Sequence, residues 1–90
     1  MKKAPILVGS RVISKAGRDE GREFYVVKSL DDEFVLISDG ETHKMDKPKK
    51  KKRRHLKQIS EPKENIVSRL TDGQPVFDHE VRRWLSHEEE

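Results

Sequence analysis

The chain has 90 residues, of which 31% are hydrophobic and 41% are charged, and it contains no cysteine. This length suits one small domain and excludes two, and so small a core is only marginally stable unless a partner adds binding energy. Without cysteine, disulfides and thiolate metal sites are excluded.

The net charge of +3 is distributed very unevenly. Residues 44–57, called the basic segment below, contain nine Lys or Arg and one acid, whereas the rest of the chain contains eleven bases and sixteen acids. Within the segment, 47-KPKKKKRR-54 has seven cations in eight residues. Because a focused positive field attracts polyanions, we expect this segment to bind phosphates and not to be only a solvated tail.

The amino terminus, MKKAPILVGS, has a basic pair followed by a short apolar run. An export signal needs a longer apolar region, and a transmembrane helix needs one that is longer still. We therefore expect a soluble cytoplasmic protein that is monomeric when free, with no membrane partner.

The first half of the chain predicts short strands. Arg11–Lys15 is a β-branched run that ends at Ala16-Gly17. The apolar run between Gly21 and Leu30 has Phe24, Val26 and Leu30 on one parity and Tyr25 and Val27 on the other, and it ends at Asp31-Asp32, which marks a turn. These two runs predict the first two strands.

The third predicted strand, 33-EFVLIS-38, is apolar on both parities and is followed by Asp39-Gly40, a strong signal for a tight turn. We expect a fourth, more polar strand at Thr42–Asp46. A fifth includes Leu56 and Ile59, whose spacing does not alternate and so predicts a bulge or a short helical turn. Several short strands with tight turns favour a small antiparallel β-barrel or curled sheet, with further cover on its outer face.

The last third of the chain predicts two short helices that dock on the strands. Ser60 is the expected N-cap of the first helix, with Pro62 in its first turn and Asp72-Gly73 at its end. Asp78 is the expected cap of the second helix. The apolar faces, at helical spacing, are Ile66, Val67 and Leu70 in the first helix and Val81, Trp84 and Leu85 in the second. Glu88-Glu89-Glu90 is expected to be a frayed acidic end.

The segment between Gly9 and Gly40 joins two predicted strands through a loop with two glycines. This loop, 15-KAGRDEG-21, must reverse the chain tightly, and Gly17 and Gly21 can take positive φ and allow another backbone to approach. The pattern consists of Val12-Ile13, Lys15, Gly17, Arg18-Asp19, Gly21 and Tyr25-Val26-Val27. It resembles a KOW motif.

With its basic continuation, the chain is similar over residues 8–59 to KOW-domain proteins related to large-subunit ribosomal protein fourteen of the eukaryotic and archaeal type, and most of all to their small bacterial relatives. The resemblance implies an SH3-like β-barrel and binding of ribosomal RNA. We therefore expect a KOW barrel at residues 6–60, which includes a basic loop at 44–57, and a helical extension at 61–90.

Phosphate contacts position an RNA-binding protein, whereas base contacts give sequence choice. We expect few base contacts, because Tyr25 is predicted to be in the core or under a helix, and Trp84 to anchor the carboxy-terminal extension. His55 fits an RNA contact or a solvated side chain equally well. The candidate RNA-binding residues are Lys15, Arg18, Arg22, Lys44, Lys47, Lys49, Lys50, Lys51, Lys52, Arg53, Arg54 and Lys57.

The sequence does not favour an enzyme, a metal site or a cofactor. The four histidines, His43, His55, His79 and His87, have no ligand spacing. The adjacent acids at 31–33 fit a turn better than a carboxylate dyad, and there is no phosphate-binding loop for nucleotides.

Two other functions remain open. KOW-like barrels also occur in transcription elongation factors resembling NusG, where they contact proteins. An exposed apolar stripe on the two helices would favour such a protein-docking module of the transcription or translation machinery. Residues 48–54 also resemble a nuclear import address, which is compatible with RNA contact.

Overall fold

A computed structural model of the chain describes residues 6–86. The predicted features at Met1–Pro5, His87 and Glu88–Glu90 lie outside the described residues. Neither helix within 6–86 combines the length and the apolar character needed to cross a bilayer. The elements are β1 (Arg11–Ser14), β2 (Glu23–Ser29), β3 (Phe34–Ser38), β4 (Lys49–Lys52), a 3₁₀ turn (Arg53–His55), β5 (Leu56–Ser60), α1 (Glu64–Thr71) and α2 (Asp78–Ser86).

The strands form one five-stranded antiparallel sheet in the order β4-β3-β2-β1-β5. The mainly β fold and the first three predicted strands are confirmed. Strands β4 and β5 lie at opposite ends of this order, yet only the 3₁₀ turn joins them. Four Cα–Cα steps span at most about 14 Å, so the sheet must curl to bring these strand ends together. The bulge expected near Ile59 is also present, because the β1–β5 register shifts between Arg11 and Val12.

The predicted fourth strand at Thr42–Asp46 is wrong. The Asp39 carboxylate accepts backbone N–H bonds from residues 41–43, which winds this stretch into a loop that cannot extend along β3. The chain becomes extended at Lys49, directly after Pro48, and the proline ring disfavours helical conformation for the preceding residue, Lys47.

The predicted basic loop at 44–57 is also wrong as a description of its conformation. Its middle forms β4, which pairs with β3 from Ile37↔Lys49 to Phe34↔Lys52, and its end enters the 3₁₀ turn and β5. Strand β3 has apolar residues on both faces and gains a hydrogen-bonded neighbour in this way. Lysines on an edge strand also discourage pairing with another sheet edge.

The main core lies on one face of the curled sheet. It consists of Ile6, Val12, Phe24, Val26, Val35, Ile37 and Leu56, all buried. Tyr25 has the opposite parity on β2 and points to the other face, where it meets Ile66 of α1 and Val81 of α2. The expectation that the strands need cover on both faces is therefore confirmed.

The second cluster confirms the expected positions of both aromatic side chains. Tyr25 is buried, and its ring meets the Trp84 ring edge-on with a centroid separation of 5.6 Å. Met45, Leu70, Val76 and Leu85 pack around it. Because the apolar faces of both helices are used inside the molecule, the exposed stripe that would favour a protein-docking module is not present on α1 and α2.

The start of α1 differs from the prediction. Ser60 ends β5 opposite Arg11, and the N-cap is Lys63, which makes no side-chain capping bond. The end at Asp72 is as predicted. Helix α2 begins at Asp78, but its carboxylate accepts the Met45 N–H at 2.7 Å and does not cap its own helix.

The two helices pack closely against two glycines that have positive φ. A Cβ on Gly9 would collide with the Val67 side chain of α1, and a Cβ on Gly40 would collide with the Asp78 carbonyl of α2. Arg82 also donates to the Gly40 carbonyl at 2.7 Å. The helical extension is therefore packed directly against the β-sheet loops.

Candidate nucleic-acid interface

The β1–β2 turn, residues 15–21, reverses the chain as predicted. Gly17 and Gly21 have φ of 80° and 89°, in the left-handed region that favours glycine. The expected close approach of another backbone is wrong: a Cβ on Gly21 would meet nothing within 4 Å, and one on Gly17 would meet only the Lys51 Nζ at 3.5 Å. Positive φ alone explains glycine at position 21.

Two hydrogen bonds join this turn to the basic segment. The Lys51 Nζ donates to the Ala16 carbonyl at 3.1 Å, and the Lys15 N–H donates to the His55 carbonyl at 2.7 Å. Residues 35 and 40 positions apart in sequence are thereby fixed side by side. Lys15, exposed, lies at this junction.

The first half of the basic segment lines an open groove of about 490 Å³, called the lysine groove below. Lys50 is exposed, and its Nζ lies 4.5 Å from the centroid of the Phe34 ring, which holds the ammonium at the rim by a cation–π contact. The groove is lined by Thr42, His43, Lys44, Asp46, Lys47, Pro48, Lys49 and Lys50.

Two cations of the basic segment are turned into the fold. Lys51 is only 9% exposed, and its ammonium supports the β1–β2 turn. The Arg53 guanidinium donates to the Asp31 carbonyl, the Ile6 carbonyl and the Ser29 hydroxyl at 2.6–3.0 Å. These groups already have protein acceptors.

The remaining cations are more accessible to a ligand. Arg54 and Lys57 are exposed, and Lys52 is half-buried with its Nζ 3.9 Å from a Glu33 carboxylate oxygen. This is the only ion pair that the basic segment makes within residues 6–86. The segment therefore keeps most of its positive charge unneutralised.

The three cations of the β1–β2 turn do not share one environment. Arg18 is exposed in the turn itself. Arg22 contacts the Asp39 carboxylate at 3.3 Å in a second groove, shared with Arg82 and Leu85 of α2. A hydrogen bond places Lys15 beside the basic segment, and Arg22 lies against Asp39 instead. That Arg18 faces the same side as the basic segment stays a prediction.

His55 reports the electrostatic field at this junction. Partial burial and the nearby cations Arg54, Lys51, Lys52 and Lys15 lower the pKa of its imidazole. Charges from both the turn and the basic segment act on this one ring. The lowered pKa therefore has two causes, the burial of the ring and the repulsion of a further positive charge by these cations.

The loop that carries Lys44 and Lys47 is held from beneath by Asp39. Burial would raise the pKa of this carboxyl group, but hydrogen bonds from three backbone N–H groups and the Thr42 hydroxyl outweigh it and lower the pKa. The Met45–Asp78 bond ties the same loop to α2. His43 also contacts Asp19 of the β1–β2 turn at 3.4 Å.

Sequence reasoning missed one feature near this loop. Phe77, immediately before α2, is 55% exposed, and its ring is stacked on His79 with centroids 6.0 Å apart. The available signal was an isolated aromatic residue that fits neither apolar helix face. Within residues 6–86, no group of three metal-ligating side chains is close enough to hold a metal ion.

Comparison with protein-family models and with curated proteins gives no match.

Proposed function

We propose that this chain is a KOW-type RNA-binding protein, with an SH3-like barrel, that associates with the ribosome in the cytoplasm by contacting ribosomal RNA phosphates. The observation that carries the proposal is the junction of the β1–β2 turn with the basic segment, through the Lys51–Ala16 and Lys15–His55 bonds. The strongest positive charge in the sequence thus lies against the turn that resembles a KOW motif. The curl between β4 and β5 supports the barrel.

The proposed contacts are divided by what each side chain already does. Lys51 and Arg53 hold the surface in shape, because their cationic groups have protein acceptors. Arg22 contributes less, because Asp39 offsets its charge. The groups available to phosphates are Lys15, Arg18, Lys44, Lys47, Lys49, Lys50, Lys52, Arg54 and Lys57.

The charge distribution favours a nucleic acid over a compact anion. The lysine groove is open, and the cations continue from it through β4 and the 3₁₀ turn into β5. A phosphate backbone has charges repeated along its length and can follow such a row. Because Tyr25 and Trp84 are occupied in the second cluster, phosphate contacts should dominate the affinity.

Pelleting with purified ribosomal subunits, at low and at moderate salt, tests the proposal. We expect binding at low salt and, for about six phosphate contacts, a log–log salt slope of roughly −4 to −5. The test variant changes the exposed residues Lys47, Lys50 and Arg54 to Glu, and it should remain in the supernatant.

The matched control reverses exposed cations outside the basic segment: Lys28, Lys63 and Arg83 to Glu. It should still pellet. The proposal fails if the wild-type protein stays in the supernatant at low salt, or if both variants bind equally well. Pelleting through ribosomal proteins without crosslinks to RNA would instead favour the protein-docking function.

A further inference from the structure

Phe77 occupies a position that folding does not explain. It has the largest exposed fraction, 55%, of the large hydrophobic side chains described. Its carbonyl accepts the N–H groups of Glu80 and Val81, so it stands at the N-cap of α2. Ser, Thr, Asn and Asp are preferred there because their side chains can accept a backbone bond, which phenylalanine cannot do. Neither core packing nor helix capping accounts for this residue.

The backbone of Phe77 is nevertheless firmly held. Its N–H donates to a Glu80 carboxylate oxygen at 3.0 Å, and Arg69 of α1 grips the same carboxylate with two bonds of 2.9 and 3.0 Å. Arg69 also donates to the Pro75 carbonyl at 2.6 Å. The bonds from Arg69 and from the Phe77 N–H lower the pKa of Glu80 to about 2, so its carboxylate stays charged and keeps both partners even in mild acid. The ring is therefore presented from a fixed support.

The Phe77 ring is paired with a second flat side chain. The ring of His79 lies 6° from parallel to it, in an offset stack. His79 is also exposed. Together the two rings form a flat, partly apolar surface at the start of α2.

The segment that carries this surface is hydrogen-bonded to the loop that carries the lysine groove. Asp78 lies between the two aromatic residues in sequence, and its carboxylate binds the N–H of Met45. Met45 follows Lys44 directly, and the Lys47 N–H donates to the Lys44 carbonyl in the same turn. The two groove lysines and the aromatic pair are thus carried by segments that touch each other.

We propose that Phe77, supported by His79, stacks on a nucleobase of single-stranded RNA whose phosphates lie in the lysine groove. The inference rests on the proposed RNA-binding function and deepens it by naming the form of RNA. Aromatic side chains beside a cationic groove are the usual way in which proteins hold single strands, because every base has a face that can stack. A duplex keeps its bases paired and cannot offer one to Phe77.

The test uses the full chain and an RNA of about ten nucleotides, within the length that small binding domains cover, with one 2-aminopurine base. We expect binding to change the 2-aminopurine fluorescence through stacking. Phe77→Ala should bind about tenfold more weakly, with an unchanged salt slope because no phosphate contact is lost. Phe77→Tyr should restore both affinity and the fluorescence change.

Two controls separate stacking from general damage. Ile59→Ala removes an apolar side chain that is 42% exposed on β5, and it should not alter binding. Phe77→Leu keeps apolar bulk but removes the aromatic face, so it should behave like Phe77→Ala even if the alanine variant folds poorly. An RNA of the same length with abasic sites should bind wild type and Phe77→Leu equally.

The possible failures are distinguishable. If wild type binds no RNA, the proposed function itself fails. If wild type binds RNA but Phe77→Leu binds as tightly, or duplex RNA binds as well as the single strand, only the stacking proposal is overturned. A protein partner lost from Phe77→Leu while RNA affinity is unchanged would likewise overturn it.

Discussion

Arg53 and Arg54 are adjacent in the 3₁₀ turn, but their side chains have different surroundings. The guanidinium of Arg53 binds three acceptors from the amino-terminal segment and the β2–β3 region, whereas Arg54 is exposed. Lys50 and Lys51 differ in the same way on β4: one reaches the rim of the lysine groove and the other is buried against Ala16. Equal formal charge therefore does not imply equal availability to an anionic ligand.

Local geometry causes this division. Successive side chains of a strand point to opposite faces, so a run of lysines on β4 cannot all face one ligand. Lys51 points inward, and its ammonium donates a hydrogen bond to the Ala16 carbonyl, because a buried charge needs a partner. A basic segment that is part of a sheet thus uses some of its cations, here Lys51 and Arg53, for structure and keeps the others for contact, whereas a disordered tail would offer all of them.

The largest expected effect separates the two arginines. Arg53→Ala removes bonds to three acceptors, including the carbonyl of the buried Ile6, and should lower the free energy of unfolding by about 3 kcal/mol. For a domain of this size that corresponds to a drop in Tm of about 15 °C. Arg54→Ala should change stability by less than about 0.5 kcal/mol but flatten the RNA salt slope by about 0.7–0.9.

Thermal unfolding by circular dichroism and salt-dependent RNA binding measure these two quantities. The assignment of Arg53 to structure and Arg54 to RNA contact is wrong if Arg54→Ala is the destabilising variant or if both substitutions alter the salt slope equally. Arg53→Lys should recover only part of the stability, because one ammonium cannot reproduce the planar set of donors.

The next effect concerns Gly40, where α2 packs and helps to fix the lysine groove. Gly40→Ala should cost about 2 kcal/mol, because a residue with a Cβ is strained at φ 73° and the methyl group would collide with the Asp78 carbonyl. Helix α2 must shift, which exposes Trp84 and weakens the Asp78–Met45 bond that fixes the lysine groove. A red shift of tryptophan fluorescence and weaker RNA binding should follow.

Gly73→Ala is the matched control for Gly40→Ala. Gly73 has φ 74°, but a Cβ there would meet nothing within 4 Å, so the variant carries the backbone strain without the collision. We expect a smaller loss of stability and unchanged tryptophan fluorescence and RNA binding. If the two variants behaved equally, close packing of α2 on Gly40 would not be needed to hold the lysine groove in shape.

A smaller effect separates the two lysines of β4. Lys51→Met keeps the aliphatic stem but removes the bond to Ala16, whose carbonyl still accepts the Ser14 hydroxyl. We expect a loss of about 1 kcal/mol and no change in the RNA salt slope. Lys50→Met should cost only about 0.5 kcal/mol through its contact with Phe34, but it should flatten the slope. A flatter slope for Lys51→Met alone would reverse their roles.

The strands β1–β3 and the glycine turn could be predicted because each depends on local sequence. Alternating or doubly apolar runs specify the strands, and Gly17 and Gly21 mark the positive-φ turn. The double parity of β3 and the apolar face of Val81, Trp84 and Leu85 also predicted a covered sheet, since buried stripes need partners.

Local sequence could not predict that residues 49–52 form strand β4. Lysine has a low strand propensity, and only the unpaired edge of β3 makes residues 49–52 extended. The N-cap at Ser60 failed for a related reason, because pairing with Arg11 keeps that residue in β5. Likewise, the inward direction of Arg53 depends on carbonyls that are distant in sequence. Long-range partners decide all three.

The smallest expected effect is a pH dependence of stability and of RNA affinity that arises from the protonation of His55. In the free protein, partial burial and the cations Arg54, Lys51, Lys52 and Lys15 hold its pKa below the ordinary value of about 6.5. The folded state thus disfavours the protonated ring, and the stability that His55 contributes is lost as the pH falls below about 6.5.

A bound phosphate would neutralise these cations and raise the pKa of His55 again. RNA binding should therefore take up a proton and strengthen, by under about tenfold, as the pH falls from roughly 7.5 to 5.5. His55→Gln should remove this component, whereas Lys28→Gln, at an exposed position outside the basic segment, should leave it intact, in fluorescence titrations at constant ionic strength. If affinity did not change with pH in wild type, or changed equally in His55→Gln, the phosphate would lie away from the junction, and the outward cations of the lysine groove would have to bind RNA without Lys15.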